Sequence, residues 1–452
     1  MKKLLCFFLG ISLCLFTATS LCETLVTYGG TFSSSNIGLQ EFLAENLNIS
    51  LSWSDADYFP ASAFITALLT HEFQCDLFYQ GTDQADWPTL MDKGYCLDLS
   101  GSTVLTTAVQ RMYPSIAAKA MANGHLYAIP TGISFRYYQI VEETWLNAGY
   151  TVEDIPQSFP SFLDFLSAWC DRIEANPEAD VVALGGWDGE SFSSASYVSK
   201  LAEMLINEVI MQHQYANEKL SFSTSEIIAL LDRCTTIGER LYQLESRNYH
   251  SVLFEQMVSN IWPSNASSIV FLRFNNEQPK LVDASLFMWA INASSSNAEK
   301  AVELLEKAAT VPSDPSSYSD LFLYQDAQPR MSPDYETSLA YWTEKKEEAE
   351  ALLQNDDLDA DTQESLEKNV QKYQTAIDLT ESNKWLVTSE QLESYRSVID
   401  DLYFSPINIF SQSSESYETL EDLYRQFGHG KLTAEQFTQR LDQIATMMYL
   451  EE

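Results

Sequence analysis

The sequence predicts an α/β fold, and two observations carry that prediction. Short apolar runs typical of strands alternate along the chain with stretches whose apolar residues recur at helical spacing. Apolar residues make up 45% of the 452 positions and charged residues 20%, which is the composition of a globular protein. Alternation of this kind predicts a parallel sheet with helices on both faces. Length alone suggests about three domains.

The first block of elements follows this alternation. Strands are predicted over 24–28, 49–53 and 75–79, and helices over 38–45, 63–73 and 86–93. In open sheets of this class, ligands bind beyond the carboxyl ends of the strands. The segments 29–35 and 80–83 follow two such ends, so we expect both to contact a ligand.

The middle of the chain repeats the pattern. Strands are predicted over 126–129, 135–141, 181–184, 268–274 and 286–291, and helices over 162–173, 196–215, 225–245 and 297–309. The strand over 181–184 runs into the glycine-rich segment 185–189, whose glycines let the backbone approach a ligand closely.

The C-terminal part is different because it is helical and rich in Glu, Lys, Gln and Ala. Residues 334–354 and 362–379 predict an antiparallel helical hairpin, with a capping box from Asp361 to Glu364 starting the second arm. A last helix is predicted over 434–449, with Thr433 as its N-cap.

The first twenty residues are typical of a secretory signal peptide. Lys2 and Lys3 precede an uncharged, mostly apolar run over 4–18, and small residues follow it. This predicts an exported protein, located in the periplasm or at the extracellular cell surface. Lipidation at Cys22 is the less favoured alternative, because bulky Leu21 occupies a position where lipidation motifs carry a small residue.

The charge of the chain excludes several partners. There are 64 acidic and 26 basic residues, which gives a formal net charge of −38. Nucleic-acid binding needs a basic surface, so we expect no nucleic-acid partner. Docking on anionic lipid through a basic patch is excluded for the same reason.

The cysteines leave two alternatives open. Export permits the sequence-local disulfides Cys75–Cys96 and Cys170–Cys234, whereas the same four residues can equally be buried free thiols. No pair with CxxC spacing exists, so a zinc ribbon or a thioredoxin-type site is not expected.

The chain carries no recognisable catalytic or cofactor motif, and we expect no cofactor and no metal. It lacks GxGxxG, P-loop, HExxH and GxSxG sequences. Aromatic residues are the positive signal, because an aromatic face beside hydrogen-bonding groups suits a sugar. The candidates at strand ends and in loops are Tyr28, Tyr79, Trp187 and Trp262, and for each of them a place in the core is the alternative.

Three motifs resemble one family. Residues 124–130 read Gly-His-Leu-Tyr-Ala-Ile-Pro, 290–297 read Ala-Ile-Asn-Ala-Ser-Ser-Ser-Asn before a helix, and 430–437 read Gly-Lys-Leu-Thr-Ala-Glu-Gln-Phe. In order and spacing they resemble bacterial extracellular solute-binding proteins of ABC transporters, in the maltose-binding, sugar-binding branch. The resemblance covers most of 23–330 and the last thirty residues. The chain departs from it in lacking a clear lipobox and in its long helical stretch over 334–400.

The resemblance implies a two-lobed, periplasmic-binding-protein-like α/β fold with hinged lobes and an added helical segment. By analogy, 23–131 and 286–328 form the N-terminal lobe, and 132–285 and 329–452 form the C-terminal lobe, with the hairpin over about 334–379. The implied protein is a monomer that performs no chemistry. It closes on a small solute and docks on a membrane ABC permease.

An oligosaccharide is the favoured solute, and polyamines and peptides stay open. The acidic charge favours neutral or cationic solutes. The alternative function is a secreted carbohydrate-active enzyme or a glycan-binding adhesin.

The two-lobed fold implies a ligand site built from strand ends of both lobes. Trp187 is the strongest choice and is expected to stack on the ligand, while Asp83 and Asp188 accept hydrogen bonds and Gln80 and Arg136 donate them. The full predicted set is Tyr28, Thr31, Tyr79, Gln80, Asp83, Arg136, Trp187 and Asp188.

Overall fold

A computed structural model of the chain describes residues 23–28, 49–53, 61–70, 75–176, 181–184, 193–245, 251–310, 320–355, 359–408, 410 and 414–451. Its strands are Glu23–Tyr28 (β1), Ile49–Trp53 (β2), Leu77–Gly81 (β3), Met121–Ala122 (β4), His125–Leu126 (β5), Ala128–Ile140 (β6), Val181–Leu184 (β7), Ser251–Ser259 (β8), Ile269–Val270 (β9), Val282–Ile291 (β10), Arg330–Met331 (β11), Trp385–Val387 (β12) and Leu402–Phe404 (β13).

The α-helices of the same residues are Ala61–Thr70 (α1), Trp87–Asp92 (α2), Thr103–Gln110 (α3), Pro114–Lys119 (α4), Glu142–Asn147 (α5), Phe159–Ala175 (α6), Ser194–Tyr215 (α7), Ser225–Leu244 (α8), Ala298–Thr310 (α9), Tyr335–Leu353 (α10), Ala360–Ser382 (α11), Ser389–Arg396 (α12), Ser414–Gly428 (α13) and Ala434–Glu451 (α14). None of these helices combines the length and the apolar character that crossing a membrane requires.

Nine of the described strands form one mixed sheet. Its order is β2-β1-β3-β10-β6-β8-β7, with β13 beside β10 and β9 beside β6. Strand β1 runs parallel to β2 and β3, and β7 runs parallel to β8. The prediction of a parallel sheet is wrong at its centre, because β10 lies between β3 and β6 and runs antiparallel to both.

Two hydrophobic cores cover this sheet. The first packs around β1, β3 and β10 and includes Phe78, Phe135 and Trp262. The second packs around α6, α7 and α8 and includes Trp169 and Phe254. Strand β6 belongs to both cores, because Phe135 lies in the first and Ile140 in the second.

The division of the chain into two lobes stays a prediction. Buried residues between Val387 and Phe404 pack in the first core, together with Leu25 and Phe78. The prediction placed 329–452 with the C-terminal lobe. The helices after 414 do pack in the second core, where they contribute Tyr424 and Phe437.

Most of the long helices lie where their periodicity predicts them, as α6 to α11 and α14 show. Two local predictions are wrong. Helix α11 begins two residues early, because Asp359 is its N-cap and accepts a hydrogen bond from the Thr362 amide at 2.8 Å. The strand predicted over 268–274 is limited to β9, since the Arg273 guanidinium binds backbone carbonyls of a loop, including Gln157 O at 2.7 Å.

The cysteine alternatives are resolved in favour of free thiols. Cys75, Cys96, Cys170 and Cys234 are all buried and none is bonded to another. Burial raises the pKa of the Cys75 and Cys96 thiols to about 12, so they are inert at neutral pH and pack as small apolar groups.

Candidate functional site

One face of the central strands carries the candidate site. Side chains alternate between the two faces of a strand, so residues two apart share a face. In the observed register, Trp289 lies opposite Tyr79, and Asp283 lies opposite Arg136. This face therefore runs from an aromatic end at Tyr79 to a charged end at Arg136. Phe287 and Asp283, four residues apart on β10, mark a track of about 13 Å.

The aromatic end is built from three rings. Tyr79 stacks on Phe287 with ring centroids 5.7 Å apart, and its ring centroid lies 4.9 Å from that of Trp289. The Tyr79 hydroxyl is hydrogen-bonded to the side chain of Thr131, and burial raises its pKa to about 12. Thr131 is exposed and is the extra residue of a β-bulge in β6, a feature that often lies beside functional sites.

The charged end is a single guanidinium shared by two carboxylates. Arg136 forms ion pairs with Asp83 and with Asp283, the second at 3.3 Å. Ser285 donates a hydrogen bond to Asp83, and the Ser405 hydroxyl donates one to Asp283 at 2.6 Å. Burial opposes the charge of Arg136, but the two carboxylates outweigh it and raise its pKa. Burial raises the pKa of Asp283 although Arg136 counteracts that effect.

A cavity of 460 Å³ opens beside the charged end. Its walls come from β6, α7, the start of β10, the segment 405–408 and α13. Glu208 lies in this wall, is 7% exposed and accepts a hydrogen bond from Gln212 Nε2 at 2.7 Å. Burial raises the pKa of Glu208 to about 7. The cavity has a volume typical of small-molecule sites.

The structure brings three of the predicted site residues onto this face. Tyr79 lies at the aromatic end, while Asp83 and Arg136 form one ion pair although they were predicted from different lobes. Gln80 points to the opposite face of β3 and is buried.

The other predicted aromatic and polar residues divide into two groups. Tyr28 is buried in the first core and stacks on Phe64 at 5.2 Å, as the core alternative describes. Trp262 is fully buried, with its Nε1 donating to Ser394 Oγ at 3.0 Å. Thr31, Trp187 and Asp188 lie outside the described residues.

Sequence reasoning missed Asp283, Ser285 and Glu208. The signal for the first two is present, because polar residues stand at alternate positions at the start of an apolar strand. Glu208 had a signal as well, since it is a single acid inside an apolar helical run from Leu205 to Ile210. A lone carboxylate on a buried helix face is rarely present without a role.

Comparison with known proteins finds similar folds among solved structures. No protein-family model matches the sequence, and no curated protein matches it. Among solved structures, the chain is similar to an ABC transporter solute-binding protein from Thermotoga lettingae bound with α-D-tagatose. The two share 13% identity and a TM-score of 0.50, and the match covers 94% of this chain and 100% of that one.

A second solved structure gives the same result. It is an ABC substrate-binding protein from Listeria monocytogenes in complex with cycloalternan, with 9% identity and a TM-score of 0.50 over 94% of this chain and 99% of that one. The predicted fold class is thereby confirmed, because the similarity extends over essentially the whole of both proteins.

Proposed function

We propose that this chain is an exported solute-binding protein that captures a small carbohydrate and delivers it to an ABC permease. The observation that carries the proposal is the match of fold over the full length of two solute-binding proteins, whose structures hold tagatose and cycloalternan. At this low identity the fold is shared while the ligand residues are not fixed, so the ligand is argued from the site.

The chemistry of the site supports a hydroxylated solute. The stacked rings of Tyr79 and Phe287 offer an apolar surface for the C–H face of a sugar. Asp83 and Arg136 supply acceptors and donors for its hydroxyl groups at the charged end of the same face.

The remaining predicted residues complete the proposal. We place Thr31, Trp187 and Asp188 in the same site because they follow strand ends, and Trp187 keeps its proposed stacking role. Tyr28 and Gln80 lie beneath the site and support it through packing. The protein acts as a monomer with no chemical step, and the signal peptide over 1–20 directs it outside the cytoplasm.

A binding screen tests the proposal. Purified protein is heated with monosaccharides, oligosaccharides, polyamines and peptides, and hits are measured by titration calorimetry. A ligand present at 100 times its dissociation constant stabilises the native state by about 2.7 kcal/mol. Chromatography of the recovered sugar checks for cleavage. Turnover of a glycan would favour the carbohydrate-active enzyme instead, and the absence of any carbohydrate hit would overturn the proposal.

A further inference from the structure

The cavity beside Arg136 has an excess of negative charge. Five carboxyl groups and one guanidinium occur among the described residues that line it. They are Asp83, Glu203, Glu208, Asp283 and Glu421, with Arg136 as the cation. Arg136 is already held by Asp83 and Asp283, and the carboxylate of Glu203 pairs with Lys200 at 3.2 Å. Two carboxyl groups, those of Glu208 and Glu421, therefore have no cationic partner among the described side chains.

A second feature of the same cavity is a hydroxyl group without a partner. Tyr424 lines the cavity, is 5% exposed, and its hydroxyl makes no hydrogen bond within the described part of the chain. Leaving a buried hydroxyl unpaired costs about 1–3 kcal/mol, and a ligand that pairs with it would remove this cost. The carboxylates of Glu203 and Glu421 are close enough to this hydroxyl to act on it electrostatically.

We infer that this cavity binds a cationic amine, so that the captured solute carries a primary ammonium group. The inference rests on the proposed function and names the chemical class of its solute. An ammonium group is a compact cation with three N–H donors and no acceptor. The Tyr424 oxygen and the carboxylates of Glu208 and Glu421 offer it acceptors.

A neighbouring ring fits the same class of ligand. Tyr138 also lines the cavity, and an aromatic face attracts a cation more strongly when water is excluded. An anionic solute would meet the same carboxylates unfavourably, and a neutral sugar would leave their charge uncompensated in a partly buried site.

Three probes of matched chemistry test the inference by titration calorimetry. They are a glucosamine disaccharide, its N-acetylated form with the same rings and no charge, and spermidine as an amine without a sugar. We expect the amine-bearing disaccharide to bind at least about tenfold more tightly than the N-acetylated one, the effect of a hydrogen-bonded charge. Tighter binding of spermidine would also support the inference and would identify a polyamine rather than an amino sugar as the source of the amine.

Two variants locate the site. Glu421→Gln removes a carboxylate, and we expect it to weaken amine binding about tenfold. Tyr424→Phe removes the hydroxyl, and we expect weaker binding with a melting temperature that does not fall, because the hydroxyl has no partner to lose. Glu239→Gln is the matched control, since Glu239 is exposed on α8 and does not line the cavity.

Three results overturn the inference. Equal or tighter binding of the N-acetylated sugar does so while leaving the proposed function intact. Unchanged amine affinity in both variants would also overturn it, because the amine would then bind elsewhere. If none of the three probes binds, the inference is overturned as well. The wider carbohydrate screen then tests the proposed function separately.

Discussion

Arg136 shows how one side chain sets the local charge balance of the site. It is 37% exposed and is held by Asp83 and Asp283, whose side chains are 18% and 26% exposed. Removing the guanidinium leaves two carboxylates close together in a partly buried place without a counter-charge. The ion pair at Arg136 is therefore expected to matter for folding more than ion pairs at the surface.

We predict that Arg136→Gln lowers the free energy of unfolding by about 1–3 kcal/mol, less than a fully buried pair would because solvent reaches Arg136. Arg111→Gln is the control, since Arg111 pairs with Asp326 at 2.9 Å but both side chains are more than half exposed. The control should lose at most about 1 kcal/mol. Urea unfolding of both variants measures the difference, and equal losses would contradict the prediction.

Glu245 is a second residue with an unusual environment. It is 9% exposed and accepts hydrogen bonds from the Tyr197 hydroxyl at 2.9 Å, from Trp169 Nε1 at 3.2 Å and from the Ala183 amide at 2.5 Å. Burial raises its pKa to about 7, and the three hydrogen bonds only partly oppose this effect. In the unfolded chain a glutamate has a pKa of about 4.3.

This difference makes stability depend on pH in a definite direction. Between about pH 4.3 and about pH 7, the folded state binds more protons than the unfolded state. Ionisation of Glu245 therefore lowers the free energy of unfolding progressively as pH rises through this range. We predict that Glu245→Gln, which keeps an acceptor oxygen, gains about 2–4 kcal/mol relative to wild type between pH 5 and pH 8. Urea unfolding at four pH values measures this.

The control for the pH prediction is Glu239→Gln, which removes an exposed acid from the same helix, α8. Its stability should follow the wild-type pH profile. A Glu245→Gln profile parallel to wild type would show that Glu245 is ionised in the folded protein at all these pH values.

At the scale of elements, the helical hairpin of α10 and α11 is stabilised mainly by contacts between its own two helices. Trp342 and Tyr373 stack across it with centroids 6.1 Å apart, and ion pairs such as Lys346–Glu350 at 3.4 Å run along its helices. Ala349 is buried, and no other residue described in these two helices is. The hairpin therefore adds little to either hydrophobic core.

The base of the hairpin is closed by its own small sheet. Strand β11 pairs with β12, and the Ser332 amide donates to the Lys384 carbonyl at 2.9 Å. We predict that replacing 333–383 by Asn-Gly, the usual two-residue turn between antiparallel strands, preserves folding and solute affinity within about threefold. Thermal unfolding and calorimetry check this. Loss of cooperative unfolding or of binding would show that the hairpin belongs to a core or to the site.

An element can be predicted from the sequence when the interactions that form it join residues close together in the chain. Helices α7 and α8 follow from local periodicity, which the sequence contains directly. The position of β10 between β3 and β6 depends on contacts between distant segments, and local patterns cannot show them. The site divides in the same way, because Tyr79 ends a predicted strand and Asp83 follows it closely, whereas the contact of Asp83 with Arg136 depends on the pairing through β10.

At the scale of the whole molecule, the dominant property is a formal charge of −38. So many like charges repel one another more in the compact state than in the expanded chain, which lowers stability at low ionic strength. Salt screens this repulsion, with a Debye length of about 30 Å at 0.01 M and about 8 Å at 0.15 M.

We predict that the melting temperature rises by about 1 °C between about 0.01 M and 0.15 M sodium chloride, which is the shift that a gain of about 1 kcal/mol produces in a chain of 452 residues. Differential scanning calorimetry measures the shift. Potassium chloride at the same ionic strength is the control for effects specific to the sodium ion. A melting temperature that falls with added salt would mean that attractive ion pairs, rather than net repulsion, dominate the electrostatics.

The first core depends on residues near both ends of the described chain, and this has a consequence during protein synthesis. Leu25 and Phe404 belong to the same core, and β13 pairs with β10. At about 5–20 residues per second, the ribosome needs about 20–80 s to make the residues between them. Throughout that time the nascent chain lacks the strand that completes its first core, so we expect it to stay exposed to chaperones until translation is nearly finished.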